Sequence, residues 1–489
     1  MKHLNHHLKL LTFLLILLTQ HLFGQKDQLF SIGKNDKVFS TIYNRNREII
    51  VHVPVGDNLN VKSETYPVLF LLDGESLFTK TVGILDHLSS AYGGEKCPKM
   101  IIVGIKHPNR MKDLLPVISK DNPENNDKFT EFLEKELIPY IDKNYPTQPY
   151  RLLVGHSLGG LRAANTLMYH PGIFNSYIAL DPSMGHDMNV WSFKTDEMLK
   201  KISFQNKSLF VAMAQTMPKG IDTSAIQKDT SGAARHMRAI MRFCNGINNY
   251  NVKGLNFNWK YYPNEAHSGV TFLGLYDGLN SIFSWYPTTD YKRISDPSVS
   301  AKAAVEIVTK NFEEISKNMG YKVLPGEASI IGITDYLSGK GMNDKAIAFA
   351  ELNVKNYPGS AYAKYYLREL QLAKKKALSE LLATTSAKEI CALCIRESRK
   401  ESPDYNISEN GINVLGYQLF EEKKLEDALL IFKMNTEFYP EAGNTWDSYG
   451  ECLMAMGNES EGLLAYKKAF EINPKNKYAE EIIRKYDKK

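Results

Sequence analysis

Cysteine is scarce in this sequence, which contains five cysteines among 489 residues. Small secreted domains that depend on disulfides carry dense, even sets of cysteines, so disulfides are not expected to hold this fold. Cys391 and Cys394 form a C-x-x-C pair in a segment of helical character, where one helical face or a lone disulfide is expected. No second Cys or His pair stands at the spacing of a zinc site, so no metal centre is predicted.

Dense basic segments are also missing. The formal net charge is +5, and two of the positive charges, Lys2 and Lys9, lie in an N-terminal segment that we expect to be removed. The sequence has no block of five or six Lys or Arg residues. Without such a block the electrostatic signature of a nucleic-acid-binding protein is absent, and nucleic acid is excluded as a partner.

Hydrophobic runs long enough to cross a bilayer are lacking too. The apolar run from Leu10 to Leu18 has about half of the roughly 20 residues that a spanning helix needs. Residues 1–24 combine a lightly basic start, this apolar run and a short polar end at Phe23-Gly24, which is typical of a secretory signal peptide. We therefore expect export to the periplasm or the medium, with no membrane span after cleavage.

The length and the pattern of the remaining chain predict two domains. Single cores stop growing near roughly 250 to 300 residues, and this chain is longer. Over residues 28–288, short apolar strands alternate with longer helical segments, which predicts an α/β, doubly wound sheet. Helices are predicted at 127–145 and 161–170. The predicted strands are 48–54, 67–73, 100–105, 151–156, 177–181, 208–214 and 257–263.

Beyond residue 288 the pattern becomes entirely helical and repeats itself. Pro440 and Pro474 mark a 34-residue spacing that also aligns small residues, and a weaker copy ends at Pro358. This pattern resembles the tetratricopeptide repeat, in which small residues stand where two helices cross. The predicted division is a signal peptide at 1–24, an α/β-hydrolase domain at 25–288, a helical connection at 289–325 and tetratricopeptide-like repeats at 326–480.

The segment Gly155-His156-Ser157-Leu158-Gly159 stands between a predicted strand and a predicted helix. This is the G-x-S-x-G nucleophile elbow, in which glycines are needed because the serine occupies a strained, crowded turn. Ser157 is therefore the predicted nucleophile. Its backbone neighbour Leu158 is predicted to supply one N–H group of an oxyanion hole, and Gly74 or Glu75, after the strand at 67–73, the other.

A serine nucleophile needs a base, which in this fold follows the serine and the acid along the chain. Of the four histidines after Ser157, His267 directly follows the last predicted strand and is the predicted base. His170 is expected to end a helix, His236 to have a surface or packing role, and His186 to lie in a loop that could line the substrate site.

The acid of the triad has several candidates. Asp222 lies in the loop after the strand at 208–214, which is the usual topological place, and Asp181 follows the preceding strand. Glu265 lies two residues before His267 and is expected to be too local to orient its ring. A Ser-His dyad without an acid also stays open.

These segments together resemble the putative-esterase family of α/β hydrolases, which includes siderophore esterases, S-formylglutathione hydrolases and feruloyl esterases. The resemblance spans about residues 35–288 and includes LFLLDGE, VGIKHPNRMKDLLP, GHSLGG and PNEAHS. It implies that Ser157 and His267 are catalytic. Relatives often have Gly and an acidic residue where this chain has Ala214-Gln215, which leaves the acid unresolved.

The sequence thus predicts an exported serine esterase that forms an acyl-enzyme on Ser157, acts on a small-molecule ester and uses no cofactor. Two other functions stay open. The same machinery transfers acyl groups to an alcohol if water is excluded. Alternatively, the repeat domain could bind a protein or peptide partner while the hydrolase domain is vestigial.

Overall fold

A computed structural model describes residues 31–54, 64–90, 93–116, 127–185, 198–200, 202–217, 226–286 and 290–486. The predicted signal peptide, His186 and Asp222 lie outside these residues. The described chain forms two compact units. One contains the residues up to 286 together with Glu314–Lys322, and the other contains residues 290–313 and 323–486.

The first unit is built on an eight-stranded sheet with the strand order β1-β2-β4-β3-β5-β6-β7-β8. The pairs β1/β2 and β2/β4 are antiparallel, and the other neighbours are parallel. The parallel strands therefore bring the segments that follow them to one edge of the sheet, where ligands bind in open α/β sheets. The strands are β1 (Lys34–Ser40), β2 (Arg45–His52), β3 (Tyr66–Leu71), β4 (Ile101–Ile105), β5 (Thr147–His156), β6 (Ser176–Leu180), β7 (Lys207–Ala214) and β8 (Leu255–Tyr262).

Every predicted strand overlaps an observed one, and the α/β fold prediction is confirmed. Strands β3, β4 and β6 are buried at every residue, as continuously apolar strands covered on both faces should be. Strand β1 was not predicted. It is an edge strand that pairs with β2, and its first four residues are charged or polar and none of them is buried, so its sequence lacks a continuous apolar run.

Helices cover the sheet, and one of them departs from its prediction. The helix predicted at 127–145 contains a π-helical turn, Leu133–Leu137, between two α-helices. Pro139 lies just after this turn and has no N–H group to donate to the preceding turn, which disfavours a regular helix there. The helices of this unit are α1 (Gly74–Ser89), α2 (Arg110–Leu114), α3 (Lys128–Phe132), α4 (Ile138–Asn144), α5 (Leu158–Tyr169), α6 (Gly232–Asn249) and α7 (Val270–Ile282).

The described chain after residue 290 is almost entirely helical, as predicted. It has its own buried clusters, one centred on Phe349 and another on Phe432. Its helices are α8 (Tyr291–Ile294), α9 (Ala301–Met319), α10 (Glu327–Gly339), α11 (Asn343–Asn356), α12 (Ala361–Leu372), α13 (Ala387–Glu397), α14 (Glu409–Glu421), α15 (Leu425–Phe438), α16 (Gly443–Ala455), α17 (Glu459–Ile472) and α18 (Lys477–Tyr486), with a 3₁₀ turn at Leu378–Leu381.

Three helix pairs recur in this unit, and in each a helix of 13 residues is followed by one of 14: α10/α11, α14/α15 and α16/α17. The last two pairs begin 34 residues apart, at Glu409 and Gly443, which is the spacing of the sequence pattern. A Cβ atom at Gly416 would overlap the ring of Phe432, so a glycine is needed where α14 crosses α15. The recurrence agrees with the sequence period, while the assignment to the tetratricopeptide class stays a prediction.

The cysteines and the helices of the described residues agree with two further expectations. All five cysteines are free, including Cys391 and Cys394, which lie in α13. Among the described helices, none combines the length and the apolar character that crossing a membrane requires.

Candidate active site

Ser157 occupies a sharp turn between β5 and α5. Its φ of 58° and ψ of −115° are strained values for a residue with a side chain. Its N–H donates to the carbonyl of Leu180 at 2.9 Å, and its own carbonyl accepts from the N–H of Ser183 at 2.9 Å, so the end of β6 holds the turn. A Cβ atom at Gly155 would overlap the carbonyl of Gly159. The first glycine of the motif is therefore required by close backbone approach, whereas a Cβ atom at Gly159 would meet the side chains of Asp73 and Leu72.

His267 lies in the turn between β8 and α7, and its ring contacts Asp181. The Nδ1 atom of His267 is 2.5 Å from Oδ2 of Asp181, which directly follows β6. Asp181 is fully buried and has a positive φ of 41°. Such a backbone conformation is uncommon outside glycine, but Asp tolerates it better than most residues. This conformation directs the Asp181 carboxylate, at the end of β6, toward the loop that carries His267.

Two further groups hold the Asp181 carboxylate. The N–H of Ala214 donates to Oδ1 at 2.8 Å, and Nε2 of His236, on α6, is 3.0 Å from Oδ2. Burial alone would raise the pKa of Asp181, but the hydrogen bonds from His236 and His267 outweigh it and hold the pKa well below its usual range. The carboxylate is therefore ionised and can stabilise a cationic imidazole.

The hydroxyl of Ser157 has a partner other than the histidine. Its Oγ is 3.0 Å from Oγ of Ser183. Within the described residues, Nε2 of His267 forms no hydrogen bond, so it is the ring nitrogen left free to accept a proton. Catalytic hydrogen bonds are often formed only when substrate is present, and rotation of the Ser157 side chain would turn its hydroxyl away from Ser183.

Two helices begin beside the serine. Gly74 and Leu158 are the first residues of α1 and α5, and N–H groups in a first helical turn have no intrahelical acceptor. The two N-termini are adjacent, because a Cβ atom at Gly159 would lie 3.2 Å from Oδ2 of Asp73. A Cβ atom at Gly74 would lie 2.6 Å from the carbonyl carbon of Gly104, so β4 leaves no room for a side chain. Both predicted N–H donors thus lie at helix N-termini, where negative charge is favoured.

Glu75, the other predicted oxyanion residue, is the second residue of α1. Its side chain accepts a hydrogen bond from the N–H of His107 at 3.1 Å and so fixes the segment that follows β4. The Glu75 side chain therefore stabilises the loop after β4, and this role is separate from the predicted role of its backbone N–H in the oxyanion hole.

Arg110 was not singled out from the sequence, although it lies within a segment that carries the family resemblance. Its Nε and Nη2 atoms bind the Asp73 carboxylate at 2.6 and 2.9 Å, and Nη2 also donates to the carbonyl of His156 at 3.0 Å. Arg110 therefore joins the turn before α1 to the strand end before Ser157. It fixes the two helix N-termini relative to each other.

His156 supports the other side of the site. Its Nε2 lies 2.8 Å from the carbonyl oxygen of His267, and the two rings are 4.6 Å apart between centroids. Burial lowers the pKa of His156, so it stays neutral and can donate this hydrogen bond. The second residue of the G-x-S-x-G motif thus positions the loop of the predicted base.

Of the acid candidates, the structure brings Asp181 to the histidine, while Asp222 lies outside the described residues. Glu265 contributes its backbone carbonyl, which accepts from the N–H of Gln215 at 2.8 Å. His170 caps the end of α5, as expected. His236 was expected to have a surface or packing role. Its contact with Asp181 was not predicted, because His236 lies inside a helix and no motif in the sequence relates it to the end of β6.

Comparison with known proteins agrees with this fold. The family model described as "Putative esterase" matches residues 40–222. The solved IroE-like serine hydrolase from Shewanella oneidensis is 30% identical with a TM-score of 0.53, over 66% of this chain and 98% of that one. The ferri-bacillibactin esterase BesA of Bacillus subtilis is 29% identical over 172 residues, which are 30% of this chain and 58% of that protein.

A second curated relative is the siderophore triacetylfusarinine C esterase of Aspergillus fumigatus, 30% identical over 134 residues. That match covers 24% of this chain and 44% of the relative, so the chain spans only about half the length of these two esterases. The similarity to esterases supports hydrolase activity. Together with the near-complete coverage of the Shewanella structure, it shows that the chain belongs to the putative-esterase family of α/β hydrolases.

Proposed function

We propose that this protein is a serine esterase with Ser157 as nucleophile, His267 as general base and Asp181 as the acid of the triad. The observation that carries the proposal is the 2.5 Å contact between His267 Nδ1 and the buried Asp181 carboxylate, beside a serine in a strained elbow. The contact fixes the tautomer in which Nε2 is free to take a proton. It also favours the Asp181 position over a Ser-His dyad.

The reaction proceeds through a covalent intermediate. Ser157 Oγ attacks the ester carbonyl carbon while its proton passes to Nε2 of His267, and the imidazolium then gives that proton to the departing alcohol. Water, deprotonated by His267, attacks the acyl-enzyme and releases the acid and the serine. The negative oxygen of each tetrahedral intermediate is stabilised by the N–H groups of Leu158 and Gly74.

The substrate that we propose is a siderophore ester. The support comes from BesA and the triacetylfusarinine C esterase, whose names state that they act on siderophores. The segment that matches the putative-esterase family model, residues 40–222, includes the G-x-S-x-G turn, so the likeness to the family covers the proposed nucleophile.

Hydrolysis assays test the proposal. Purified protein is given p-nitrophenyl esters of increasing acyl length and a catecholate trilactone, next to Ser157→Ala, His267→Ala and, as a matched control, Ser89→Ala at the end of α1. We expect the parent and Ser89→Ala to hydrolyse the esters, and we expect Ser157→Ala and His267→Ala to have lost this activity. Equal turnover in Ser157→Ala and the parent would refute the serine mechanism. Labelling of the parent, but not of Ser157→Ala, by a fluorophosphonate probe is expected as well.

Acyl transfer to an alcohol is separated by the products. Adding a sugar or lipid alcohol to the same assay would yield a new ester in place of free acid if the protein were a transferase. For the esterase we expect the free acid to be released at an unchanged rate when the alcohol is added.

We further propose that the protein is exported, with residues 1–24 as the signal peptide. Expression of the full sequence and of a version lacking residues 1–24, followed by cell fractionation, tests this. Export of the full sequence alone is the expected result, and equal distribution of both versions would contradict it.

A further inference from the structure

Three side chains at the acid of the proposed triad form a compact set of metal-ligand atoms. Asp181, His236 and His267 each offer one such atom, and these atoms all lie within 4.8 Å of one another. His236 Nε2 is 3.0 Å and His267 Nδ1 is 2.5 Å from the same carboxylate oxygen of Asp181. The three residues come from α6, the β8–α7 turn and the end of β6, so the set is assembled by the fold.

The chemistry of this set matches a particular class of ion. Two imidazole nitrogens and one carboxylate oxygen suit Zn²⁺, which takes three protein ligands and leaves a fourth position to water in open sites. The other carboxylate oxygen of Asp181 is held by the N–H of Ala214, an outer hydrogen bond of the kind that orients metal ligands. The side chains of His236 and His267 are 19% and 39% exposed, so both imidazoles are partly accessible to solvent, while the carboxylate between them is buried.

We propose that Asp181, His236 and His267 bind a divalent cation such as Zn²⁺, and that its binding switches the active site off. The second part rests on the proposed esterase function. With zinc bonds of about 2.0 to 2.2 Å, neighbouring ligand atoms lie about 3.3 Å apart. His236 and Asp181 are already near that separation, and His267 Nδ1 needs to withdraw from Asp181 by less than about 1 Å. The two imidazole nitrogens, which lie within 4.8 Å of each other, need to approach each other as the ion binds.

Inhibition follows from the tautomers of the ring. In the metal-free site His267 carries its proton on Nδ1, where it donates to Asp181, and Nε2 has the lone pair that acts as base. A cation bound to Nδ1 occupies the lone pair of that nitrogen, so the single proton of the neutral ring moves to Nε2. Nε2 then has no lone pair with which to accept the proton of Ser157. His236 undergoes the same exchange, its proton moving from Nε2 to Nδ1.

Direct binding tests the site. Zn²⁺ binding to the purified, chelator-treated chain is measured by calorimetry, and Co²⁺ binding by its visible absorption. The variants are His236→Gln, His267→Gln, Ser157→Ala and the matched control His87→Gln, which removes an exposed histidine of α1. In His236→Gln the amide can still donate to Asp181 but is a poor zinc ligand. This variant therefore distinguishes the loss of a metal ligand from a loss of folding.

We expect one high-affinity Zn²⁺ per chain in the parent, His87→Gln and Ser157→Ala. Loss of a ligand should weaken binding in His236→Gln and His267→Gln by more than the roughly 10- to 100-fold typical for loss of an outer hydrogen bond. Absence of binding in the parent, or equal affinity in His236→Gln with its folding verified by circular dichroism, would overturn the site. Because binding is measured without turnover, this result does not depend on the esterase function.

Turnover tests the switch. Zn²⁺ at its binding concentration should abolish ester hydrolysis by the parent, a chelator should restore it, and His236→Gln should need at least about 10-fold more Zn²⁺ for the same fractional loss. Binding without inhibition would refute the switch while leaving the site. Turnover by Ser157→Ala equal to the parent would instead refute the proposed function.

Discussion

Asp181 receives hydrogen bonds from three separate elements, and this explains the departure of the sequence at Ala214-Gln215. Ala214, the last residue of β7, stands where relatives often have a glycine before an acid, and its backbone N–H donates to Asp181, which follows β6. The parallel strands β6 and β7 are hydrogen-bonded neighbours, so an acid after either strand lies at the same edge of the sheet. The place of the acid can therefore shift by one strand while its hydrogen bond to the histidine is kept.

Replacing Asp181 tests this arrangement. In Asp181→Asn the amide would favour the wrong tautomer of His267, and we expect kcat for p-nitrophenyl ester hydrolysis to fall on the order of 10⁴-fold with little change in KM. Asp222→Asn is the matched control and should retain turnover near the parent value. The reverse outcome, with Asp222→Asn inactive and Asp181→Asn active, would move the acid to the loop after β7.

His236 should act on the reaction through Asp181. His236→Leu removes a donor to the carboxylate, and a donor to a charged group contributes about 1.5 to 3 kcal/mol, so kcat should fall about 10- to 100-fold at unchanged KM. His236→Gln, which retains a donor, should recover most of this loss. In the Asp181→Asn background, His236→Leu should lower kcat little further, since both substitutions remove the same hydrogen bond between His236 and the Asp181 carboxylate. Additive losses in the double variant would show that His236 acts only through packing.

At this scale the sequence predicted the residues whose roles depend on local motifs. Ser157 and Leu158 follow from the glycine spacing, and His267 from its place after the last strand. The contacts of Asp181 with His236, and of Arg110 with Asp73, join residues 55 and 37 positions apart. No local pattern marks such pairs, because they are formed by the meeting of strand ends and by a positive φ at Asp181.

Helix α1 is positioned by close packing at its first residue. A Cβ atom at Gly74 would lie 2.6 Å from the Gly104 carbonyl carbon, so Gly74→Ala must push the helix N-terminus away from β4. We expect kcat to fall at least about 10²-fold, as for removal of one oxyanion donor. Gly83→Ala, in the same helix with open space around it, should keep turnover and raise the unfolding free energy by about 0.5 to 1 kcal/mol.

In the helical unit, Glu369 on α12 links stability to pH. Its carboxylate accepts from the N–H of Glu409 at the start of α14, and burial raises its pKa to about 7. Because the folded pKa exceeds the unfolded value of about 4.3, its contribution to stability is complete below about pH 4 and lost as the pH rises through about 7. The helical unit should therefore be less stable in mildly alkaline solution, where the buried carboxylate is charged.

Glu369→Gln keeps an acceptor for Glu409 and removes the charge. We expect its thermal midpoint to exceed that of the parent at about pH 8 and to approach it at about pH 5, measured by circular dichroism. Glu441→Gln, at an exposed position of the same unit, should leave the pH dependence unchanged. A parallel shift of Glu369→Gln at both pH values would contradict the titration of this carboxyl.

Elements with a regular apolar pattern were predicted well, and those without one were not. Strands β3 to β7 contain continuous buried apolar runs, and β2 and β8 place apolar or aromatic side chains at alternate positions. Strand β1 begins with four charged or polar residues at a sheet edge and has neither pattern. The helix pairs α14/α15 and α16/α17 repeat because Gly416 and Gly450 face aromatic rings of the partner helix, Phe432 and Tyr466. Their period is therefore a packing requirement and visible in the sequence.

On the scale of the whole molecule, each unit has a core of its own. Phe174 lies in the sheet unit, with its ring centroid 5.6 Å from that of Phe70, and Phe432 lies in the helical unit, 5.0 Å from Tyr417. The sequence predicted this division from the end of the strand pattern near residue 288. It did not predict that Glu314–Lys322, which includes the end of α9, belongs to the sheet unit. The sequence of α9 has one helical pattern along its whole length, so nothing in it marks the residue at which the unit changes.

Because each unit has its own core, a large-to-small substitution in one core should destabilise that unit alone. Phe432 is fully buried against Gly416 and Tyr417, and Phe432→Ala should lower the unfolding free energy of the helical unit by about 3 to 5 kcal/mol. In calorimetry we expect one transition of the full chain to move down while ester hydrolysis at 25 °C, well below that transition, is retained. The matched variant Phe174→Ala should lower the other transition and reduce turnover as the sheet unit loosens, because the Phe174 ring packs against Phe70 of β3 and Tyr177 of β6, the strand that Asp181 directly follows. If both variants moved a single transition equally and abolished hydrolysis alike, the units would unfold as one, and the helical core would be as necessary to the active site as the sheet.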